Sequence, residues 1–412
     1  MTSIIRRLGP GLLFAGAAIG VSHLVQSTRA GADYNMGLLW ALLLVNLFKY
    51  PFFEYGPRYT GATGESLLDG YGKLGKPFLV TYVILAFFTM FTIQTAVTIV
   101  TAGIANTVFP GVFPDEGLFG LSGLELWTII ILSCCVVILI FGRYQLLDRF
   151  IKIVIVLLAV STLFTVLFTG SSEEGSLNFT GFWPKGELDL VFLIAFMGWM
   201  PAPIDVSVFH SLWAVNKRKI KSGFDFKSTL LDFNVGYVTT VVVGILFMLL
   251  GALVMHNSGL HFDGSAVVFA EQLISLYTTT LGNWSYTFIA IAALTAMFST
   301  TITTLDASPR AMERSLELIF KKPLKLNYLF WLVFLTLGTI LIFTTLASEM
   351  ALLVRVATTI SFLTAPFYAA LNFKLVCSSQ MPVAYRPGRF LRLLSWLGLV
   401  FLVVFGLWFI WA

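Results

Sequence analysis

The chain has 412 residues, of which 58% are hydrophobic and only 11% charged, whereas a soluble domain is near half apolar and a quarter charged. That balance excludes an ordinary soluble enzyme. The net charge of +5 is no nucleic-acid signal either, because the basic residues gather between apolar runs.

Runs of roughly twenty apolar residues cross a hydrocarbon core. They predict spans at 11–30, 37–56, 77–107, 123–142, 149–170, 189–213, 231–255, 284–305, 326–345, 350–377 and 389–411. The expectation is an all-α integral membrane protein of about 11 transmembrane helices forming one domain over residues 1–412. Arg6 and Arg7 precede a glycine-bearing stretch that reads as a first span, not as a cleaved signal peptide. With the N-terminus in the cytoplasm, alternation places 22 of the 26 basic residues inside. The other four are Arg29 and Lys185 outside and Lys49 and Arg355 within spans. The positive-inside rule therefore predicts a multi-pass protein of the plasma (inner) membrane with its C-terminus outside. These spans leave no residues for a soluble output domain. Cys134 and Cys135 share one apolar run and Cys377 lies far away, so no disulfide framework is expected.

Two spans carry breakers. The first reads Gly16-Ala17-Ala18-Ile19-Gly20-Val21-Ser22-His23, and the sixth Gly198-Trp199-Met200-Pro201-Ala202-Pro203-Ile204-Asp205. Proline removes a backbone donor and glycine weakens a helix. Bare backbone at membrane depth is tolerated where it lines a cavity or is buried in protein. Breaks five spans apart predict two five-helix repeats of opposite topology, about 9–170 and 189–377, with 389–411 as an added helix. A substrate site is expected between the breaks, at Gly20, Ser22, His23, Ala202 and Asp205.

Several segments resemble the NRAMP divalent-metal transporters in order and spacing. They are Gly9-Pro10-Gly11-Leu12-Leu13 with Ala30-Gly31-Ala32, Leu42 to Leu47 with Arg58, Ala62-Thr63-Gly64 and Leu67, then His210-Ser211. Thr300-Thr301-Ile302-Thr303 with Ala307, and Ala365-Pro366-Phe367, complete the series. The resemblance implies a LeuT-type inverted repeat with helices 1 and 6 broken, and a secondary active carrier. It also marks where this chain departs from the family. The family's Asp-Pro-Gly-Asn, whose Asp and Asn bind metal, falls on Gly20, Val21, Ser22 and His23. The family's Met-Pro falls on Ala202-Pro203, followed by Ile204-Asp205. The carboxylate and thioether that suit manganese or iron are thus absent from those positions.

Individual side chains carry alternative readings. His23 is suited to touch substrate, bind a cation or carry a proton, or to bond a free carbonyl of the break. Asp205, a carboxylate at membrane depth, is a functional candidate by default, or else a buried partner of Lys49, Arg355 or His23. A metal, if one is bound, falls to His23 and Asp205. His210 resembles the family's proton-handling histidine. Lys49 and Arg355 either neutralise Asp205 or meet an anionic group, and Lys49 also has the length to snorkel. Thr300, Thr301 and Thr303 place hydroxyls on the eighth span, which in the broader fold helps bind sodium; such hydroxyls also bond their own helix backbone. No nucleophile–base set, phosphate loop or zinc signature appears, so neither an enzyme nor a cofactor is expected. The expected partners are the bilayer and an ion or small molecule, not nucleic acid, and a monomer is compatible with the sequence. The first functional expectation is alternating-access transport of a small cation or cationic solute. The others are sodium-coupled transport of a small organic solute, such as an amino acid, and a non-transporting sensor.

Overall fold

The structure, a computed structural model, describes residues 10–114, 117–118, 120–141, 144–169, 177–220, 226–256, 264–323, 327–346 and 350–411. Arg6, Arg7 and Gly9, and residues 221–225, lie outside the described residues.

Apolar surroundings offer the backbone no hydrogen-bonding partner, so these runs close their own ladders as helices. Among the described residues, seven helices are long and apolar enough to cross a membrane. Their full extents are α5 (Lys76–Val108), α6 (Gly123–Ile140), α10 (Phe226–Val254), α12 (Tyr286–Phe320), α13 (Asn327–Leu346), α14 (Met350–Cys377) and α15 (Arg389–Trp411). Helices α3 (Leu39–Thr63) and α7 (Tyr144–Thr169) run alongside them.

The first and sixth spans are interrupted where glycine and proline predict. In the first, α1 (Pro10–Ala18) stops at Ile19 and Gly20, and the chain resumes as a π-turn (Ser22–Ser27) leading into α2 (Thr28–Tyr34). Two carbonyls of that turn are met by hydroxyls: Ser27 Oγ donates to Ser22 O at 3.3 Å and Thr28 Oγ1 to His23 O at 3.4 Å. In the sixth, α8 (Glu187–Trp199) and α9 (Val206–Ile220) are separated by non-helical backbone from Met200 to Asp205.

Helix α10 holds both halves of the first span. Asp232 accepts from the Gly11 backbone N–H at 2.9 Å and so caps the start of α1. A Cβ on Gly236 would overlap the Gly11 carbonyl, and one on Gly251 the Thr28 carbonyl. Glycine at both positions lets the backbones touch, the close approach that membrane helices use in place of a hydrophobic drive.

Two segments outside the expected spans are helical. The short α4 (Leu67–Leu74) follows α3, and α11 (Ala266–Leu281) lies between α10 and α12. With 16 residues, α11 is short for a crossing, and it buries Phe269, Leu273, Ile274 and Tyr277 against the bundle. The eighth span runs on to Phe320, well past the expected end.

One face of the bundle is basic and cross-linked. Arg314 of α12 donates to Asp69 of α4 at 2.5 Å, Arg218 to Thr60 O at 3.0 Å and Arg58 to Tyr385 O at 2.8 Å. Asp69 also closes a capping box with Ser66. Burial alone raises the Asp69 carboxyl, but hydrogen bonds from Ser66 and Arg314 outweigh this and hold it below the usual carboxylate range. A depressed carboxylate contributes stability above its unfolded pKa, and that contribution is lost as pH falls through the folded value. Asp69→Asn is therefore expected to lower stability by about 1–2 kcal/mol at neutral pH. In thermal melts of purified protein the gap from wild type should close as the pH falls below the ordinary carboxylate range. A gap independent of pH would refute the assignment.

Candidate functional site

The two breaks face each other across α12. A Cβ on Gly20 would lie 2.6 Å from Thr300 Oγ1, so glycine is what allows the first break to lie against the eighth span. Between them is a cavity of about 30 Å³ lined by Ser22, Trp199, Ala202, Asp205, Thr300 and Thr303, with Thr304 beside them. A cavity needs roughly 10–15 Å³ by this measure to hold a water, so it admits a water or a bare ion and no organic solute. Asp205 is 5% exposed, and its Oδ1 has no hydrogen-bond partner among the described residues. A buried acceptor without a donor is costly, and a cation in the cavity would meet that demand.

A second pocket, of about 10 Å³, touches Asp205 from the other side and is lined by Tyr82, Thr89, Met90, Phe209, Ser308 and Met312. Asp205 thus borders both spaces. The α9 half of the sixth span is anchored next to it. Asn372 Nδ2 donates to Ser207 Oγ and to Phe52 O, each at 2.9 Å, and Asn372 Oδ1 accepts from Tyr71.

Lys49 is fully buried. Its ammonium donates to Met197 O and Gly198 O at 2.7 Å each, with Ala202 O at 3.5 Å. These carbonyls end α8, where a cation is favoured by unpaired C=O groups and by the helix dipole. The Lys49 charge also acts on Asp205, without an ion pair within 4 Å among the described residues.

The other candidates are dispersed. His23 turns away from the cavity: Nε2 lies 3.0 Å from Thr240 O and Nδ1 2.7 Å from Ser22 Oγ. A carbonyl only accepts, so Nε2 carries the proton. Thr301 faces α5, its hydroxyl 2.7 Å from that of Thr101. Gln94 of α5 accepts from Thr304 Oγ1 at 2.7 Å and donates to Thr301 O at 3.3 Å. His210 is buried between Phe14 and Phe233 with neither ring nitrogen bonded among the described residues. Arg355 is exposed in a separate, larger cavity. Asp306 accepts from Arg310 at 2.8 Å as a helix-end pair.

Residues 11–412 match the family model described as natural resistance-associated macrophage protein-like, Nramp. The chain belongs to the Nramp family. It is 35% identical over 409 residues to an uncharacterized protein of Pasteurella multocida (strain Pm70), covering 98% of this chain and 91% of that one. Its fold is similar to the crystal structure of the Eremococcus coleocola manganese transporter in complex with an aromatic bis-isothiourea substituted compound. The TM-score there is 0.71 at 14% identity, over 98% of this chain and 86% of that one. It is also similar to MhsT in complex with L-phenylalanine, with TM-score 0.68 at 16% identity, over 97% of this chain and 98% of that one. The Nramp chain is an all-helical multi-pass membrane protein with the LeuT-type fold, and its first and sixth spans are broken.

Among its described residues, no group of three His, Cys, Asp or Glu side chains could hold a metal ion. Sequence reasoning missed three features. Trp199 lines the cavity and donates through Nε1 to Ser361 Oγ at 2.8 Å. Tyr82 lines the second pocket. Gln26 is buried with an unbonded Oε1. Only Gln26 had a signal: a polar side chain in an apolar run beside a break.

Proposed function

We propose that this Nramp chain is a secondary transporter that moves a small cation by alternating access, with the cation held beside Asp205. The observation that carries the proposal is the unpartnered, buried Asp205 oxygen in a cavity of about 30 Å³ between two broken helices. The other polar residues that line it are Ser22, Thr300, Thr303 and Thr304. Oxygen donors suit hard ions such as sodium or magnesium; the thioether and imidazole donors that suit softer metals are not in the wall. His23 is committed to Thr240 and Ser22, which counts against a zinc or cobalt site. The nearby Lys49 offsets the one carboxylate charge, which favours a monovalent ion over a bare divalent one.

Alternating access is supported by pockets on both sides of Asp205, and by Trp199 between the cavity and a larger space one helical turn away at Ala195. The basic face supports a cytoplasmic assignment under the positive-inside rule, and the reading adopted is an N-terminus inside and a C-terminus outside in a plasma (inner) membrane. The Gln94–Thr304 bond joins α5 to α12 through groups that exchange protons poorly near neutrality, so coupling is assigned to an ion gradient other than protons.

Proteoliposome flux tests the reading. Sodium should move saturably, while magnesium, manganese, zinc and cobalt at micromolar concentration should not. Saturable manganese uptake, or uptake with stoichiometric internal acidification, would overturn it.

A further inference from the structure

The larger cavity is a site of a different kind. Its volume of about 350 Å³ falls in the range of small-molecule pockets, more than tenfold the space beside Asp205. It opens on the face opposite the basic one, between α2, α8 and α14. The charged side chains lining it are Arg29 and Arg355. Arg29 is held in place: its guanidinium lies 5.1 Å from the centre of the Phe192 ring, and Nε donates to Asp33 at 3.1 Å. Its two terminal nitrogens remain to donate. Arg355 has no ion-pair partner among the described residues. Gln26, 4% exposed, lines the same cavity and has an Oε1 with no hydrogen-bond partner among the described residues. Val25, Phe192, Met350 and Leu352 make the rest of the wall apolar. Two acidic groups on neighbouring turns are engaged: Asp33 with Arg29 at 3.1 Å, and Asp189 with the Tyr34 hydroxyl at 3.0 Å.

We infer that this vestibule binds a small organic carboxylate that carries a hydrogen-bond donor and an apolar body, in the manner of an amino or hydroxy acid. Arg29 and Arg355 take the carboxylate, for which guanidinium geometry is suited. Gln26 Oε1 accepts from the ammonium or hydroxyl, and the apolar wall covers the side chain. Two arginines at the mouth also repel a bare divalent cation and attract an acid. The site is distinct from the cavity beside Asp205, and its occupancy is read by binding alone, so the cation proposal can fail while this one stands.

The test is equilibrium binding to the purified full chain by calorimetry, with a thermal melt as fold control. The probes are L-leucine, its hydroxy analogue leucate, the bare acid isocaproate, and L-leucinamide, which lacks the carboxylate. Leucine and leucate should bind, and isocaproate should bind more weakly because it leaves Gln26 unpaired. Leucinamide should be weaker by at least about tenfold, the ratio of one charge-assisted hydrogen bond. Arg355→Gln should cost leucine at least about tenfold with an unchanged melt, since this exposed arginine has no partner among the described residues. Gln26→Leu should remove the preference for leucate over isocaproate. The inference is overturned if no acid binds up to about 10 mM, if leucinamide binds as well as leucine, or if Arg355→Gln binds leucine like wild type.

Discussion

Asp205→Asn is expected to abolish cation binding and transport while leaving the protein folded. The carboxylate is buried, one oxygen lacks a donor among the described residues, and it is the one acid lining the cavity of about 30 Å³. Asparagine keeps the shape and removes the charge. Truncating one partner of a buried charge interaction costs at least about 2 kcal/mol, roughly thirtyfold in affinity. Stability should change little, because the Lys49 ammonium already has two carbonyls at 2.7 Å and is not stranded by the loss. Calorimetric titration with the transported cation, next to a thermal melt, separates the two effects. An Asn variant that transports normally would show that the cation sits elsewhere.

Lys49→Met is expected to do the reverse and damage the fold. Methionine matches the length of the side chain but donates nothing, so the Met197 and Gly198 carbonyls at the end of α8 lose their donor. Asp205 also loses its cationic neighbour. Removing one member of a buried charge arrangement costs about 3–5 kcal/mol, which for a protein of ordinary marginal stability is a large fraction of the total. Adding Asp205→Asn should restore the part owed to charge, with a coupling of about 0.5–3 kcal/mol in a double-mutant cycle, and not the part owed to the carbonyls. Melts of wild type, both single variants and the double variant measure this. A Lys49→Met protein as stable as wild type would remove Lys49 from any structural role.

The same pair of residues shows where sequence reading stops. Lys49 and Arg355 are both cations in apolar runs, and local pattern treats them alike. Packing places Lys49 under the sixth-span break and Arg355 in a wide vestibule on the opposite face. The hydroxyls of the eighth span tell a similar story. Thr300 and Thr303 line the cavity, Thr304 lines it while donating to Gln94 of α5, and Thr301, about a hundred degrees round from Thr300, turns to Thr101 of α5. The spacing is written in the sequence; which side meets the cavity is set by how α12 packs on α5. His23 and Ser22 are neighbours at one break, yet the π-turn aims the serine at the cavity and the histidine at α10.

The sequence by itself determined the membrane class, the helical content, the positions of both breaks and the family. Each of these follows from composition or from Gly, Pro and apolar residues at fixed spacing, which act locally on the backbone. Tertiary structure decided that Asp205 lines a cavity with Ser22 and Thr300 and without His23, that Lys49 caps α8, and that Gln26, Arg29 and Arg355 line one cavity. Those juxtapositions join residues up to several hundred positions apart. They depend on helix rotation and depth, which are fixed only when glycine contacts such as Gly236 on Gly11 and Gly251 on Thr28 bring the helices together.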